Sequence, residues 1–515
     1  MLRILTLTCL LSYLCLTSPA AGNSTIADDF DSTAPLAEWS LARTPNTAKG
    51  SIMVKDGVLT IQSKDPRASL RCQRELPWPV GQEAWIRVAV RLNAADVSRK
   101  PASYNGIKVM LRVETARGIE HPQLNLPIGD IPWSNVAKSF RLPDDTRRVT
   151  LVLGLERVTG RVSFDRVEVF AGRPRRQVTG RAKPIETGLP RLRGVMHGPN
   201  FDAGNFADLD RWGVNQVRWQ LNWVPMRPAW NKAMDLEAYD AWLQGILDDT
   251  DRAVEACEKY GIHMLLDLHC APGGRAANGV NRMFLERRYQ DKFIEVWQML
   301  AQRYRGRDII YAYDLINEPS EPTLPPEGLL SWCELAILTT KRIREIDPDK
   351  PIVYEPGPWG RCDGFDDLEP LNLPSVIYSF HMYQPHDFTH QFQLKDRFPD
   401  GLRYPGEIDG QMWDRDRLRR SMRPAIDFAN DFGVPMYVGE FSAIRWAPDE
   451  SAYRYLKDLI EIFEEEGWDW SYHAFREFHG WSVEHSTVQS EIQPSQSPTR
   501  REVLLKDRFR LNRSE

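Results

Sequence analysis

The chain has 515 residues, 66 Lys+Arg against 71 Asp+Glu, and a formal net charge of −5. That balance excludes the concentrated basic face of a nucleic-acid binder. With 27% charged and 42% hydrophobic residues, the chain is neither disordered nor fibrous. At about 100–200 residues per domain, two or three domains are expected. The 17 Trp, 16 Tyr and 20 Phe supply either a large core or surfaces that stack on ring-shaped ligands.

Residues 1–22 read as a secretory signal peptide. Arg3 precedes an apolar run from Ile4 to Leu16, and Ala20, Ala21 and Gly22 follow. The run is too short to span a bilayer, and no later run reaches the ~18 apolar residues of a transmembrane helix. The expected location is therefore secreted, periplasmic or at the cell surface. Beyond the signal the cysteines are Cys72, Cys257, Cys270, Cys333 and Cys362. They are odd in number, scattered and without C-x-x-C spacing, so neither a disulfide scaffold nor a zinc ribbon is indicated.

Residues 23–170 read as strands. In Trp85–Leu92, Ile86, Val88, Val90 and Leu92 share one face; Val149, Leu151, Leu153 and Leu155 repeat the period of two. Asp56-Gly57 and Asn105-Gly106 predict tight hairpin turns. Short antiparallel strands without a helical stripe predict an all-β sandwich of the jelly-roll type. Its tryptophans, Trp39, Trp78, Trp85 and Trp133, are a sugar platform or simply core, and Trp85, opposite the Ile/Val face, is expected to be exposed. Residues 171–190 hold three Pro, three Gly and five basic residues and read as a solvated linker; a polyanion site at the basic residues is the other reading.

From 191 to 515 apolar strands alternate with amphipathic helices. The strands are Gly194–His197, Val214–Arg218, Ile262–Leu268, Ile309–Ile316, Ile352–Glu355, Val376–Phe380, Pro435–Gly439 and Trp470–Phe475. Helices are expected at Asp235–Tyr260, with Asp235 as N-cap and Gly261 as stop, and at Arg288–Tyr304, Leu329–Ile346, Asp414–Phe432 and Ala452–Glu466. Eight such units predict a (β/α)8 TIM barrel. A doubly wound open sheet is the alternative, but no G-x-G-x-x-G or phosphate loop supports it.

Active residues of such a barrel lie at the C-terminal ends of its strands. Six of the eight strands end in polar residues: Arg218, His269, Asn317-Glu318, Glu355, His381 with Tyr383, and Glu440. Any one alone suits a surface residue or a satisfied core partner; all of them at one mouth suit a site. Glu318 and Glu440 are the carboxylate pair that cleavage of a glycosidic acetal requires. One carboxyl protonates the leaving oxygen, and the other attacks the sugar or activates water from the opposite face. A retaining pair stands about 5–5.5 Å apart. Arginine and tyrosine beside one glutamate would keep that one charged.

These residues resemble glycoside hydrolase family 5, the cellulase family of the 4/7 superfamily, over residues 191–485. Six elements agree in order: Val217-Arg218-Trp219, the Leu266–Gly274 stretch with His269 and its Ala-Pro-Gly-Gly loop, Asn317, Glu318 within Asn-Glu-Pro, the His381-x-Tyr383 pair, and Gly439-Glu440. The resemblance implies a retaining double displacement, with Glu318 as acid/base and Glu440 as nucleophile. It also implies that Asn317 bonds the substrate 2-hydroxyl or the nucleophile, that Arg218 and Tyr383 orient Glu440, and that His269 and His381 line the −1 site. No metal or organic cofactor is implied, since two carboxylates carry the chemistry. The family has a tryptophan beneath the −1 sugar at the end of strand eight. Here His473 takes that place, and Trp481, Phe478 or Trp470 could supply the ring. Trp223 and Trp359 are further candidate stacking rings. The segment Val162–Val169 looks like the last strand of jelly-roll carbohydrate-binding modules often joined to such barrels.

The expected function is a secreted hydrolase of β-linked glycans, cellulase-like, acting on an oligo- or polysaccharide such as β-1,4-glucan or mannan. A non-catalytic carbohydrate-binding protein and a transglycosylase on the same barrel are the alternatives. A serine hydrolase is disfavoured because G-x-S-x-G is missing.

Overall fold

The computed structural model describes residues 26–45, 49–77, 84–116, 118–171, 189–222, 235–391 and 400–513. The expected signal peptide, Trp78, most of the expected linker and Trp223 lie outside the described residues. The chain divides into two compact units, Met1–Gln177 with Pro322–Leu324, and Val178–Glu321 with Pro325–Glu515.

The first unit is a β-sandwich. One antiparallel sheet runs in the order Gly50–Lys55, Val58–Ser63, Gly160–Ala171, Ala84–Val97, Gly129–Leu142, with Ile26–Asp28 beside Gly160–Ala171. The other runs Ser40–Thr44, Ser69–Leu76, Thr146–Glu156, Gly106–Thr115, Ile119–Glu120. Alternation sets the inner faces: Ile86, Val88, Val90 and Leu92 from one sheet meet Val149, Leu151, Leu153 and Leu155 from the other in a single core. Asp56-Gly57 forms the expected two-residue hairpin, both residues at positive φ (51° and 71°), the twist that matches right-handed strands.

Two expectations for this unit fail. Asn105-Gly106 is no hairpin, because the strand before it belongs to one sheet and Gly106–Thr115 to the other; it ends a crossover, with Asn105 buried. Trp85 is not exposed. Its outward face is covered by the guanidinium of Arg141, 4.5 Å from the ring centroid on the paired strand, which leaves it 7% accessible. Trp39 is buried too, its indole N–H donating to Asp28. Trp133 stays exposed beside Arg91.

The second unit is a closed parallel barrel. Its strands are β1 (Arg193–His197), β2 (Gln216–Gln220), β3 (His263–Asp267), β4 (Ile310–Asp314), β5 (Ile352–Tyr354), β6 (Val376–Met382), β7 (Met436–Phe441) and β8 (Asp469–Tyr472). Pairing of β1 with β8 closes it. Every residue of β1, β2, β4, β5, β6 and β7 is buried, as expected for strands covered on both faces. The helix Leu236–Tyr260 has Asp235 accepting from the Glu237 N–H as its N-cap and ends at Gly261. Trp332–Arg344 is shorter than expected because Ser331 and Glu334 form a capping box that sets its start. The expected helix over 414–432 is two helices, Arg415–Ser421 and Arg423–Phe432. Pro424 has no N–H to continue the first and sits instead in the opening turn of the second. Among the described residues no helix is long and apolar enough to cross a membrane.

Candidate active site

The strand ends deliver their polar residues to one place. β2 places Arg218 two residues before its end, fully buried. Its Nη1 donates to Glu440 Oε1 (2.9 Å), its Nε to Asp314 Oδ2 (2.9 Å), and its Nη2 to Asn317 Oδ1 and Glu355 Oε1 (3.1 Å each). Asp267 Oδ1 is a further 3.3 Å from Nη2. A guanidinium removed from water is stable only with such counter-charge. Burial works against its charge, and the four carboxylates more than reverse this, so Arg218 is held firmly protonated.

Glu440 lies in β7, its side chain 5% accessible. Besides Arg218 it accepts the Tyr383 hydroxyl proton on Oε2 (2.8 Å), and His473 Nδ1 and His381 Nδ1 lie 3.3 and 3.7 Å away. Burial alone would raise its pKa. The cations His381, His473 and Arg218 overcome that and hold the carboxyl well below the usual range. Tyr383 keeps its proton, since burial and Glu440 push the phenol up. Gly439 makes room for this arrangement: a Cβ there would stand 2.8 Å from Ser379 Oγ and 2.9 Å from His381 Nε2.

Chain leaving β4 passes through buried Leu315 and Ile316 to Asn317 and Glu318. Glu318 is more open than Glu440, 26% against 5% at the side chain. Its Oε1 lies 3.0 Å from His381 Nδ1. One carboxylate oxygen from each glutamate and a ring nitrogen of His381 lie within 4.8 Å of one another. That spacing would also suit a bound metal ion. Burial lowers the His381 pKa, and Glu355, Glu440 and Glu318 raise it well above the ordinary value. Two carboxyl groups this close, in environments that differ in burial and charge, are the arrangement that paired acid and base work needs.

The remaining expected residues fall around this centre. His269 follows β3, its Nδ1 2.7 Å from Asp267 Oδ2. His473 lies one residue past β8, between Glu440 and Glu477, whose Oε2 is 3.6 Å from Nε2. Trp481 packs on His473, Tyr383 and His390 with ring centroids 5.1–5.2 Å apart. Trp470 points away from the mouth: fully buried, its indole N–H bonds Glu464, so it offers no platform. Phe478 packs on His479. Trp359 is half-buried, with the Arg275 guanidinium 4.2 Å from its centroid. Sequence reading missed Asp267, Asp314, Glu477 and Arg275. The signal for the two aspartates was present, as acids inside otherwise apolar strands.

His473 and Glu477 give the site a pH signature. Burial lowers the imidazole, but Glu440 and Glu477 raise it to about 10; burial raises Glu477, but His473 lowers it to about 2. The raised histidine stabilises the fold fully below its unfolded pKa of about 6.5, and that contribution is lost as pH rises through about 10. The depressed glutamate stabilises above about 4.3, and its contribution is lost as pH falls toward about 2. Melting temperature followed from pH 2 to 10 should therefore fall at both ends. His473→Gln should flatten the alkaline fall and Glu477→Gln the acid one. An alkaline fall unchanged in His473→Gln would show that the imidazole is not charged.

An eight-strand parallel barrel with two carboxylates converging on its C-terminal rim is an arrangement suited to cleaving glycosidic bonds. The profile of the Cellulase family, glycosyl hydrolase family 5, matches residues 183–478, and the chain belongs to that family. It is an O-glycosyl hydrolase. It is similar to Endoglucanase C of Acetivibrio thermocellus, 28% identical over 269 residues, 47% of this chain and 77% of that one. A glucan 1,3-beta-glucosidase of Schwanniomyces occidentalis is 23% identical over 305 residues, covering 52% and 68%. A crystal structure of a glycoside hydrolase superposes with a TM-score of 0.51 at 26% identity, covering 62% of this chain and 99% of its own.

Proposed function

We propose that the protein is a retaining hydrolase of β-linked glycans, with Glu440 as nucleophile and Glu318 as acid/base. The observation that carries this reading is that one oxygen of each carboxylate lies within 4.8 Å of the other, short of the roughly 6.5–9.5 Å separation of inverting pairs. In the first step a Glu440 oxygen bonds to the anomeric carbon and the bond to the leaving oxygen breaks. Glu318 gives its proton to that oxygen. In the second step water loses a proton to Glu318, bonds to the anomeric carbon, and the ester to Glu440 breaks. Two inversions retain the configuration. The depressed pKa of Glu440 supports its part, because a nucleophile must be ionised. The greater exposure of Glu318 suits a group that meets the leaving oxygen and then water. Relatives named endoglucanase and glucan 1,3-beta-glucosidase support a β-glucan as the substrate class. Export is part of the proposal and rests on residues 1–22 alone.

The test is a panel of soluble β-glucans and β-mannans with aryl β-glycosides, followed by trapping. A 2-deoxy-2-fluoro β-glycoside with a good leaving group should accumulate as an ester, and peptide mapping should locate it on Glu440. A label on another residue, or a first-formed product of inverted configuration by NMR, would overturn the reading.

A further inference from the structure

Glu318 has a left-handed backbone, φ 50°, a region that side-chain-bearing residues seldom occupy. Two charged side chains grip its peptide groups from opposite sides. On one side Glu355 Oε2 accepts the Glu318 N–H at 2.8 Å. On the other, Arg275 Nη2 donates to the Glu318 carbonyl at 2.7 Å and, more weakly, to that of Asn317 at 3.4 Å. Bonds with one ionised partner are the stronger kind.

Each gripping residue is itself held. Glu355 is fully buried at the end of β5. Its Oε1 stands 3.1 Å from Arg218 Nη2 and 3.0 Å from His381 Nε2. Arg275 Nη1 donates to the Gly279 carbonyl and to Asn281 Oδ1. Its guanidinium lies over the ring of Trp359, and the backbone N–H of Trp359 donates to the Pro319 carbonyl at 2.8 Å. Loops after β3, β4 and β5 thus converge on one peptide, and the Glu318 carboxyl is delivered beside His381.

We infer that Arg275 and Glu355 are positioning residues that clamp the Glu318 peptide and so aim its carboxyl at the glycosidic oxygen. The inference rests on Glu318 being the acid/base. Neither residue needs to touch substrate; each acts through the backbone it holds. Misplacing a catalytic group by about 1 Å can cost on the order of 10²-fold in rate, so loosening the clamp has a measurable consequence. Lysine is no substitute at 275, since a single ammonium lacks the planar fork that spans two carbonyls and stacks on an indole.

The effect should depend on the leaving group. Dinitrophenolate departs without a proton, whereas phenolate needs one. In Arg275→Met, kcat/KM for phenyl β-cellobioside should fall by about 10²-fold, with that for 2,4-dinitrophenyl β-cellobioside little changed. Arg275→Lys should resemble Arg275→Met. Glu355→Gln, which also withdraws counter-charge from Arg218 and His381, should lose activity on both substrates, more on the phenyl glycoside. Equal losses on the two substrates, or none, in Arg275→Met would overturn the clamp. Glu318→Ala run beside it separates the two failures: if Glu318→Ala does not discriminate between leaving groups, the acid/base assignment is what fails. A melting temperature for each variant shows whether a loss shared by both substrates reflects unfolding.

Discussion

Glu440→Gln should lose between roughly 10⁴- and 10⁶-fold in kcat on any glycan the wild type cleaves, the range seen when single members of a nucleophilic catalytic triad are removed. The amide keeps the shape of the carboxylate but carries no charge to stabilise a developing oxocarbenium ion and forms no ester. The electrostatics around it sharpen the expectation. Arg218, His381 and His473 are arranged about an anion. With an amide in its place, three groups that now share its charge face one another across a buried space, and their repulsion is offset only by the carboxylates that remain beside them. The variant should therefore also be less stable than the wild type, and its His473 should titrate at lower pH because one of its two carboxylate neighbours is gone. Initial rates on the best substrate of the panel, with a thermal melt, check both. Residual activity within tenfold of wild type would remove Glu440 from the role.

Glu318→Ala should behave differently in kind. On an unactivated glycan the loss should be about 10²–10⁴-fold, the usual contribution of a positioned general acid or base. On a dinitrophenyl glycoside the first step needs no proton, so the glycosyl–enzyme should form at near wild-type rate and then accumulate, because water is no longer deprotonated. Azide, already an anion, needs no base. Adding it should restore turnover and yield the β-glycosyl azide, in which a β bond has been remade after the first inversion. Burst kinetics and product analysis by NMR read this directly. An α-azide, or no rescue, would contradict Glu318 as acid/base. The same burst assay on Arg275→Met would show whether the clamp matters for both steps or for the first alone.

Legibility differed by element, and the differences have physical causes. Barrel strands were readable because each is buried on both faces and so written as an apolar run; the runs break at the residues that face the mouth. Even so, borders moved. The run Val214–Arg218 corresponds to Gln216–Gln220, which puts Arg218 inside the strand rather than at its end. The Asn105-Gly106 dipeptide carries a turn signal, but its meaning depends on which sheet receives the next strand. Trp85 sits on the outward face by alternation, as expected, yet a long arginine on the neighbouring strand lies over it. Pro424 splits its helix for a local reason, so that break is legible in the sequence.

For the site, the sequence by itself determined the chemical inventory: two glutamates, an arginine, histidines and a tyrosine, each toward the C-terminal end of an apolar run, in an order that marks the family. Tertiary structure alone decided who partners whom. Arg218 meets carboxylates from four other strand ends, Asp267, Asp314, Glu355 and Glu440, only once the barrel closes and residues up to 222 positions apart stand within 2.9 Å. The same closure puts Arg275 and Glu355 on either side of the Glu318 peptide and seats His473 between two carboxylates. Strand identity is a local property, set by period and burial within a few residues. The charge state of a glutamate and the aim of its carboxyl are properties of everything packed around it, and these exist only in the folded chain.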